Sequence, residues 1–393
     1  MSTWGLPALG RFDVRNGHGD VRELRRPRSK PYLACVIAVA LGLATLLAGP
    51  TRAQGSSEAG SAIAASGKTI GLVLANIDWL FYKTQGGKEE CPAGFRYSDR
   101  DNWEAEFPTQ AARKKQLNRC GDFQNRGPNC ENVWFTPEAI KDPLPFRGVT
   151  GKISYGVHLG AAGGNTCPHE EFTSPEGETG IDNQYYRFLG CGVYQRDNFP
   201  EKTMRVWIKQ NSVLRWLLEI DGVNSKQGDG AVEVTLSRGK DPLIVDAAGK
   251  ALPWQSQRID ENAPPESVYH LHGKMVNGVI TTEPTDIMWV EWMAEPRLLI
   301  RGMTLRIHLT PTGAEVFRVG YIDVEQLWHG FSQYGSTMGT VVGASGPSTY
   351  AALHQLADGY KDPTTGACTA LSSARKYEFV RAHVIHPSAE ANP

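Results

Sequence analysis

LRIHLTPTGAEVFRVGYI, residues 305–322, decides how this chain is read. Leu305, Ile307 and Leu309 alternate with Arg306 and His308, a period of two that sends one face of a strand into a core and the other into water. PTGA (311–314) carries turn residues, and EVFRVGYI (315–322) resumes with β-branched and aromatic side chains. The stretch is therefore a hairpin from an antiparallel sheet with one solvated face.

Working outward, the same signal recurs. In AVEVTLSR (231–238), Val232, Val234 and Leu236 share one face while Glu233, Thr235 and Ser237 share the other. TIGLVLA (69–75), VTGKISYGVHL (149–159), VLRWLLEI (213–220), DIMWVEWM (286–293) and KYEFVRAHVI (376–385) have strand composition. Turn residues fall between strands at DAAGK (246–250) and VNGV (276–279), and the Asn-Gly of MVNGVITT (275–282) marks a two-residue hairpin. Helical patterns occur at TQAARKKQLN (109–118), at DVEQLWHGFSQ (323–333) and at STYAALHQLADGY (348–360), the last with Ser348 as N-cap and Gly359 as stop. Roughly ten strands and few helices predict a mainly β fold. The expected architecture is an antiparallel double-sheet sandwich, jelly-roll-like, with a Cys-rich irregular lobe and two or three short helices. No internal repeat is visible.

The N-terminal text differs. RRPRSK (25–30) precedes YLACVIAVALGLATLLAG (32–49), an uncharged and mostly apolar run, and Thr51-Arg52-Ala53 follows. A basic flank, an apolar stretch and small residues before a cut read as a signal peptide cleaved after Ala53. The alternative is a retained membrane anchor over 32–49, since a span needs about 20 apolar residues. Residues 54–68 are a Gly/Ser/Ala-rich linker, and 69–393 form the exported domain. Within it, 85–146 is rich in Gly, Pro, Asn, Cys and charge, and reads as a disulfide-held lobe or insertion.

The chain holds 41 basic and 42 acidic residues; removing 1–53 leaves 33 and 39, a net charge of −6. No basic tract survives, which argues against a backbone-tracking nucleic-acid binder. Seven cysteines stand at 35, 91, 120, 130, 167, 191 and 368, and loss of the leader leaves six. In an oxidising compartment these make three disulfides. Cys167 and Cys191, bracketing one loop, are the expected pair, with Cys91, Cys120, Cys130 and Cys368 unassigned. No C-x-x-C occurs, which removes the usual zinc-knuckle, thioredoxin-type and haem-attachment spacings.

That loop, CPHEEFTSPEGETGIDNQYYRFLGC (167–191), concentrates oxygen donors. Glu176, Glu178, Asp182 and Asn183 are candidate calcium ligands, although the EF-hand spacing is missing. A solvated loop stapled shut is the plainer reading. His169-Glu170-Glu171 starts like a zincin helix but lacks the second His. His270 and His272 form H-x-H on one strand face, a candidate half-site needing His308, His329 or His354 to complete it. Asp221, Asn224 and Asp229 read as turn residues. Glu291, among aromatics, is the candidate hydrolytic carboxylate, with Asp286 or Glu295 as its partner. No G-x-S-x-G, P-loop or G-x-G-x-x-G fingerprint occurs. Trp254, Trp289, Trp292 and Trp328 form either a stacking platform for a carbohydrate or part of the core.

The sequence thus describes an exported protein of the periplasm or cell exterior with a non-enzymatic binding or structural role, calcium as its candidate ion and a carbohydrate or cell-envelope component as its candidate partner. The alternative is a carboxylate-dependent hydrolase acting on an extracellular polymer.

Overall fold

Eight strands follow one another in a simple meander, and the last returns to hydrogen-bond with the first. These are β1 (Ile70–Asp78), β2 (Trp216–Asp221), β3 (Gly230–Arg238), β4 (Tyr269–Val276), β5 (Val279–Thr282), β6 (Leu298–Thr310), β7 (Gly313–Asp323) and β8 (Cys368–Ile385). Each pairs antiparallel with its successor, and β8 pairs with β1 through Leu72↔Arg381 and Leu74↔Phe379. The result is a closed eight-stranded antiparallel barrel. This computed structural model describes residues 69–160, 166–223, 230–290, 298–338 and 343–387. Readings that fall on 1–68, on 224–229, or on Glu291, Trp292 and Glu295 lie outside them.

The double-sheet sandwich is therefore overturned. Alternation specifies that one face of each strand is buried, which a sandwich and a barrel satisfy equally. The two part only at the β1–β8 seam, a pairing between the two ends of the described chain. Inward positions run continuously around the circle: Leu72 beside Leu218, Leu218 beside Leu236, Val234 beside Leu271, Ile280 beside Ile307, Ile307 beside Val316, Val316 beside Tyr377. All of these are at most 1% exposed, so side chains fill the interior, as expected for eight strands. Arg318 shares this inward face, and Trp289 joins it through Tyr377. Tyr377 Oη accepts from Trp289 Nε1 (3.0 Å) and Arg318 Nε (3.3 Å), and Trp289 stacks on Trp216 with centroids 4.4 Å apart.

Local chemistry explains several joints. Asn277 (φ 50°) and Gly278 (φ 78°) both occupy the left-handed region that a tight two-residue hairpin demands, so the Asn-Gly expectation holds. β6 carries a bulge between Arg301 and Thr304, and the freed Gly302 amide donates to Asp286 Oδ1 at 2.8 Å. Residues 285–289 pair with β6, and 359–361 with β8, outside the barrel circle.

Seven helices are present among the described residues, more than the two or three expected. They are α1 (Asp99–Glu106), α2 (Gln110–Cys120), α3 (Gln184–Leu189), α4 (Val193–Arg196), α5 (Phe199–Gln210), α6 (Val324–Met338) and α7 (Gly346–Leu356). None of the described helices is long and apolar enough to cross a membrane. The stretch 149–159, expected as a strand, makes only isolated bridges at Ile153 and Val157. α7 begins after Ser345, not at Ser348: Pro347 occupies its first turn, and its leading amides donate to Asp99 and Asp142 of the Cys-rich region.

Three disulfides tie the chain: Cys91–Cys191, Cys120–Cys130 and Cys167–Cys368. The expected Cys167–Cys191 pair does not form. The segment between them is no simple excursion: residues 181–192 are buried and contain α3, which carries Cys191 away toward Cys91. Cys167 instead meets the first residue of β8.

Candidate functional site

The outward faces of β6, β7 and β8 and the end of β1 form the floor of a cleft of about 740 Å³. Register places its floor residues side by side: Arg306 opposite Phe317, His308 opposite Glu315, Phe317 opposite Lys376, and Lys376 opposite Asp78. One wall is the two-stranded hairpin of Phe172–Thr173 and Thr179–Ile181, which contributes Ser174, Glu176 and Glu178; the other comprises Tyr155–Val157, Leu80, Phe81 and Lys83. The volume suits a small organic ligand.

Its chemistry is mixed, with one more carboxylate than cations. Asp78, Glu176, Glu178 and Glu315 face Lys83, Arg306 and Lys376 across Phe81, Tyr155 and Phe317. Arg306 NH1 lies 3.8 Å from Glu178 Oε2, and Lys376 Nζ 3.7 Å from Glu315 Oε1, so much of the charge is matched internally. His308 packs edge-on to Phe317 at 5.9 Å. Burial, aided by the nearby Arg306 charge, pulls its imidazole below the usual histidine range, leaving a neutral ring able to both donate and accept. Burial likewise lowers Lys83, against the opposing pull of Glu201.

Behind the Tyr155–Val157 wall sits a second constellation. His169, Asp182 and Asp358 bring one ligand-capable atom each within 4.8 Å of one another, the one such cluster of three or more among the described residues. His169 Nε2 lies 2.9 Å from Asp182 Oδ1 and 3.7 Å from Asp358 Oδ2. The remaining oxygens are fixed by backbone: Asp182 Oδ2 accepts from the Leu159 amide (2.7 Å) and Asp358 Oδ1 from the Ser372 amide (2.7 Å). His169 Nδ1 is 3.0 Å from the Cys167 carbonyl, which can only accept, so Nδ1 carries a proton and donates it there. Asp182 and Asp358 are buried, and Asp358 Oδ2 is enclosed yet accepts no hydrogen bond. The Asp182 hydrogen bond raises the His169 imidazole to about 9, against the pull of burial. Burial pushes the Asp358 carboxyl up to about 6, against the Ser372 hydrogen bond.

The residues singled out from sequence disperse. Glu176 and Glu178 are exposed on the hairpin tip, whereas Asp182 is buried in the His169 cluster. Asn183 caps α3, its Oδ1 accepting from the Tyr186 amide and its Nδ2 donating to the Tyr155 carbonyl. The four supposed calcium ligands thus do not converge. His270 and His272 stand exposed on the outer face of β4, with His270 Nδ1 3.3 Å from Glu233. Asp286 is held by the Gly302 amide at the β6 bulge and does not line the cleft. Trp289 and Trp328 are buried, Trp328 stacked on Trp134, while Trp254 is exposed. Sequence reasoning missed His308, Phe317 and Lys376 as cleft residues and Asp358 as the partner of Asp182; the outward polar positions of β6–β8 were visible, but not what covers them. No known protein family, curated protein or solved structure matches this chain.

Proposed function

We propose that this is an exported, non-enzymatic binding protein whose outer-barrel cleft takes a neutral, hydroxyl-rich ligand, an oligosaccharide or a similar cell-envelope component. The observation that carries the reading is the cleft itself: aromatic rings and a neutral imidazole interleaved with fixed, internally matched carboxylates and cations. Rings such as Phe317 supply apolar contact to a sugar face, while Glu178, Arg306 and His308 supply planar donors and acceptors for its hydroxyls. An anionic ligand would meet four carboxylates against three cations, one of which, Lys83, already pairs with Glu201 outside the cleft. Export is supported by the three disulfides, which persist in oxidising compartments, and by the leader-like N-terminal sequence. The hydrolase alternative needs a general acid shielded from water, whereas Glu176, Glu178 and Glu315 are exposed.

An oligosaccharide array followed by calorimetry tests this. Binding by a glycan class, weakened at least tenfold in both Phe317→Ala and Arg306→Ala and unchanged in His272→Ala, is the expected result. Absence of glycan binding, or binding indifferent to Phe317, overturns it.

A further inference from the structure

Asp358 Oδ2 is the anomaly on which a second site turns. An enclosed carboxylate oxygen that accepts no hydrogen bond is costly in a folded protein. Here it faces Asp182 Oδ1 and His169 Nε2, while every other polar atom of the three side chains is already held by backbone. Holding a histidine through its far nitrogen and a carboxylate through its second oxygen is how proteins orient metal ligands. We propose that His169, Asp182 and Asp358 form a site for a first-row divalent ion, zinc foremost, with solvent as the fourth ligand.

The geometry supports this ion class. Zinc bonds of about 2.0–2.2 Å in a tetrahedron place neighbouring ligand atoms about 3.4 Å apart, and Nε2 lies 2.9 and 3.7 Å from its two oxygens. One imidazole and two carboxylates carry the two negative charges that a divalent ion neutralises, whereas calcium asks for six to eight oxygens and no ring nitrogen. His169 retains 18% side-chain exposure, which leaves a path for the ion and its water. The site is also a junction. Asp182 ends the hairpin that walls the cleft, Asp358 precedes β8, and Cys167, whose carbonyl orients His169, is bonded to Cys368 of β8. Its location behind the cleft wall makes a bound ion a brace for that wall, and the proposal stands whatever the cleft binds.

The test uses the exported chain purified without chelators, with disulfides intact. Elemental analysis should find one zinc per chain; after stripping, calorimetric titration with zinc chloride should restore one site and raise the melting temperature. Manganese should bind more weakly and calcium not measurably. His169→Ala and Asp358→Asn should each lose at least tenfold in zinc affinity, while Glu176→Gln and His270→Ala keep it. Failure of the stripped wild-type chain to bind zinc at micromolar concentration overturns the proposal without reliance on any variant. So does zinc binding that survives both substitutions, or calcium binding as tight as zinc.

Discussion

Glu90 shows what a single buried charge requires in this molecule. It is 1% exposed, and its carboxylate accepts from the Thr84 amide (2.6 Å), the Thr84 hydroxyl and Arg196 NH2 (2.7 Å). Burial on its own would raise the acid; the Thr84 donors and the Arg196 guanidinium outweigh it and hold Glu90 below the usual carboxylate range. A folded value under the unfolded one means that Glu90 stabilises the fold above about pH 4.3 and that this contribution fades as pH falls through the folded value. Glu90→Gln should therefore cost about 3 kcal/mol at pH 7, chiefly from the uncompensated Arg196. The deficit should narrow as pH falls below the unfolded value toward the lower folded one, where the wild-type carboxylate takes up its proton. Guanidinium melts at pH 7, 5 and 3.5 read both effects, and a deficit that stays constant across the three removes the linkage argument. The same bookkeeping of partners found the His169 cluster, which no local pattern announces. His169 and Asp182 lie in a loop whose polar composition is visible, but Asp358 comes from the α7–β8 connection, and only the fold brings it to them.

At the level of elements, the readable parts are those whose cause is local. The β4–β5 hairpin is written in Asn277-Gly278 and α6 in its periodicity, whereas α2 follows from helix-forming composition behind the Thr109 cap. α5 went unread, although FPEKTMRVWIKQ carries a local signal, with Pro200 in its first turn and the buried Met204 and Ile208 four residues apart. α3 carries no such signal: QYYRFL is short and buried throughout, and the turn residues just before it mask its start. The start of α7 depends on side chains that no neighbouring sequence supplies. Asp142 accepts from the Ser348 amide (3.0 Å) and pairs with Arg126 at 2.5 Å, while Asp99 accepts from the Gly346 amide (3.1 Å). Two carboxylates from the Cys-rich region thus serve the amide end of a helix that packs near the barrel, where negative charge is favoured. Asp142→Ala should cost about 2 kcal/mol, combining a lost cap with a weakened hold on the buried Arg126. Asp142→Asn should recover part of that by keeping an acceptor. Equal losses in the two variants, measured by chemical denaturation, would show that charge alone acts there.

On the scale of the whole molecule, closure is the property that strand patterns conceal, and covalent ties do much to hold what surrounds it. β8 is 18 residues long and hydrogen-bonds to β7 on one edge and β1 on the other, so its placement fixes the barrel. Cys167–Cys368 anchors its first residue across a sequence separation of 201, and Cys91–Cys191 spans 100, whereas Cys120–Cys130 spans 10 within the Cys-rich region. Restricting an unfolded chain gains with the logarithm of loop length, giving about 5 kcal/mol for each long bridge taken alone and about 3 kcal/mol for the short one. The double variant Cys167→Ala/Cys368→Ala should accordingly lose more stability than Cys120→Ala/Cys130→Ala, with the melting temperature falling further. It should also loosen the 167–182 segment that walls the cleft, read as faster amide exchange there while the interior strands β3 and β4 stay protected. If the two double variants melt together, or if exchange rises uniformly around the barrel, then the long bridge is a passive consequence of a closed fold and not one of the things that secures its wall.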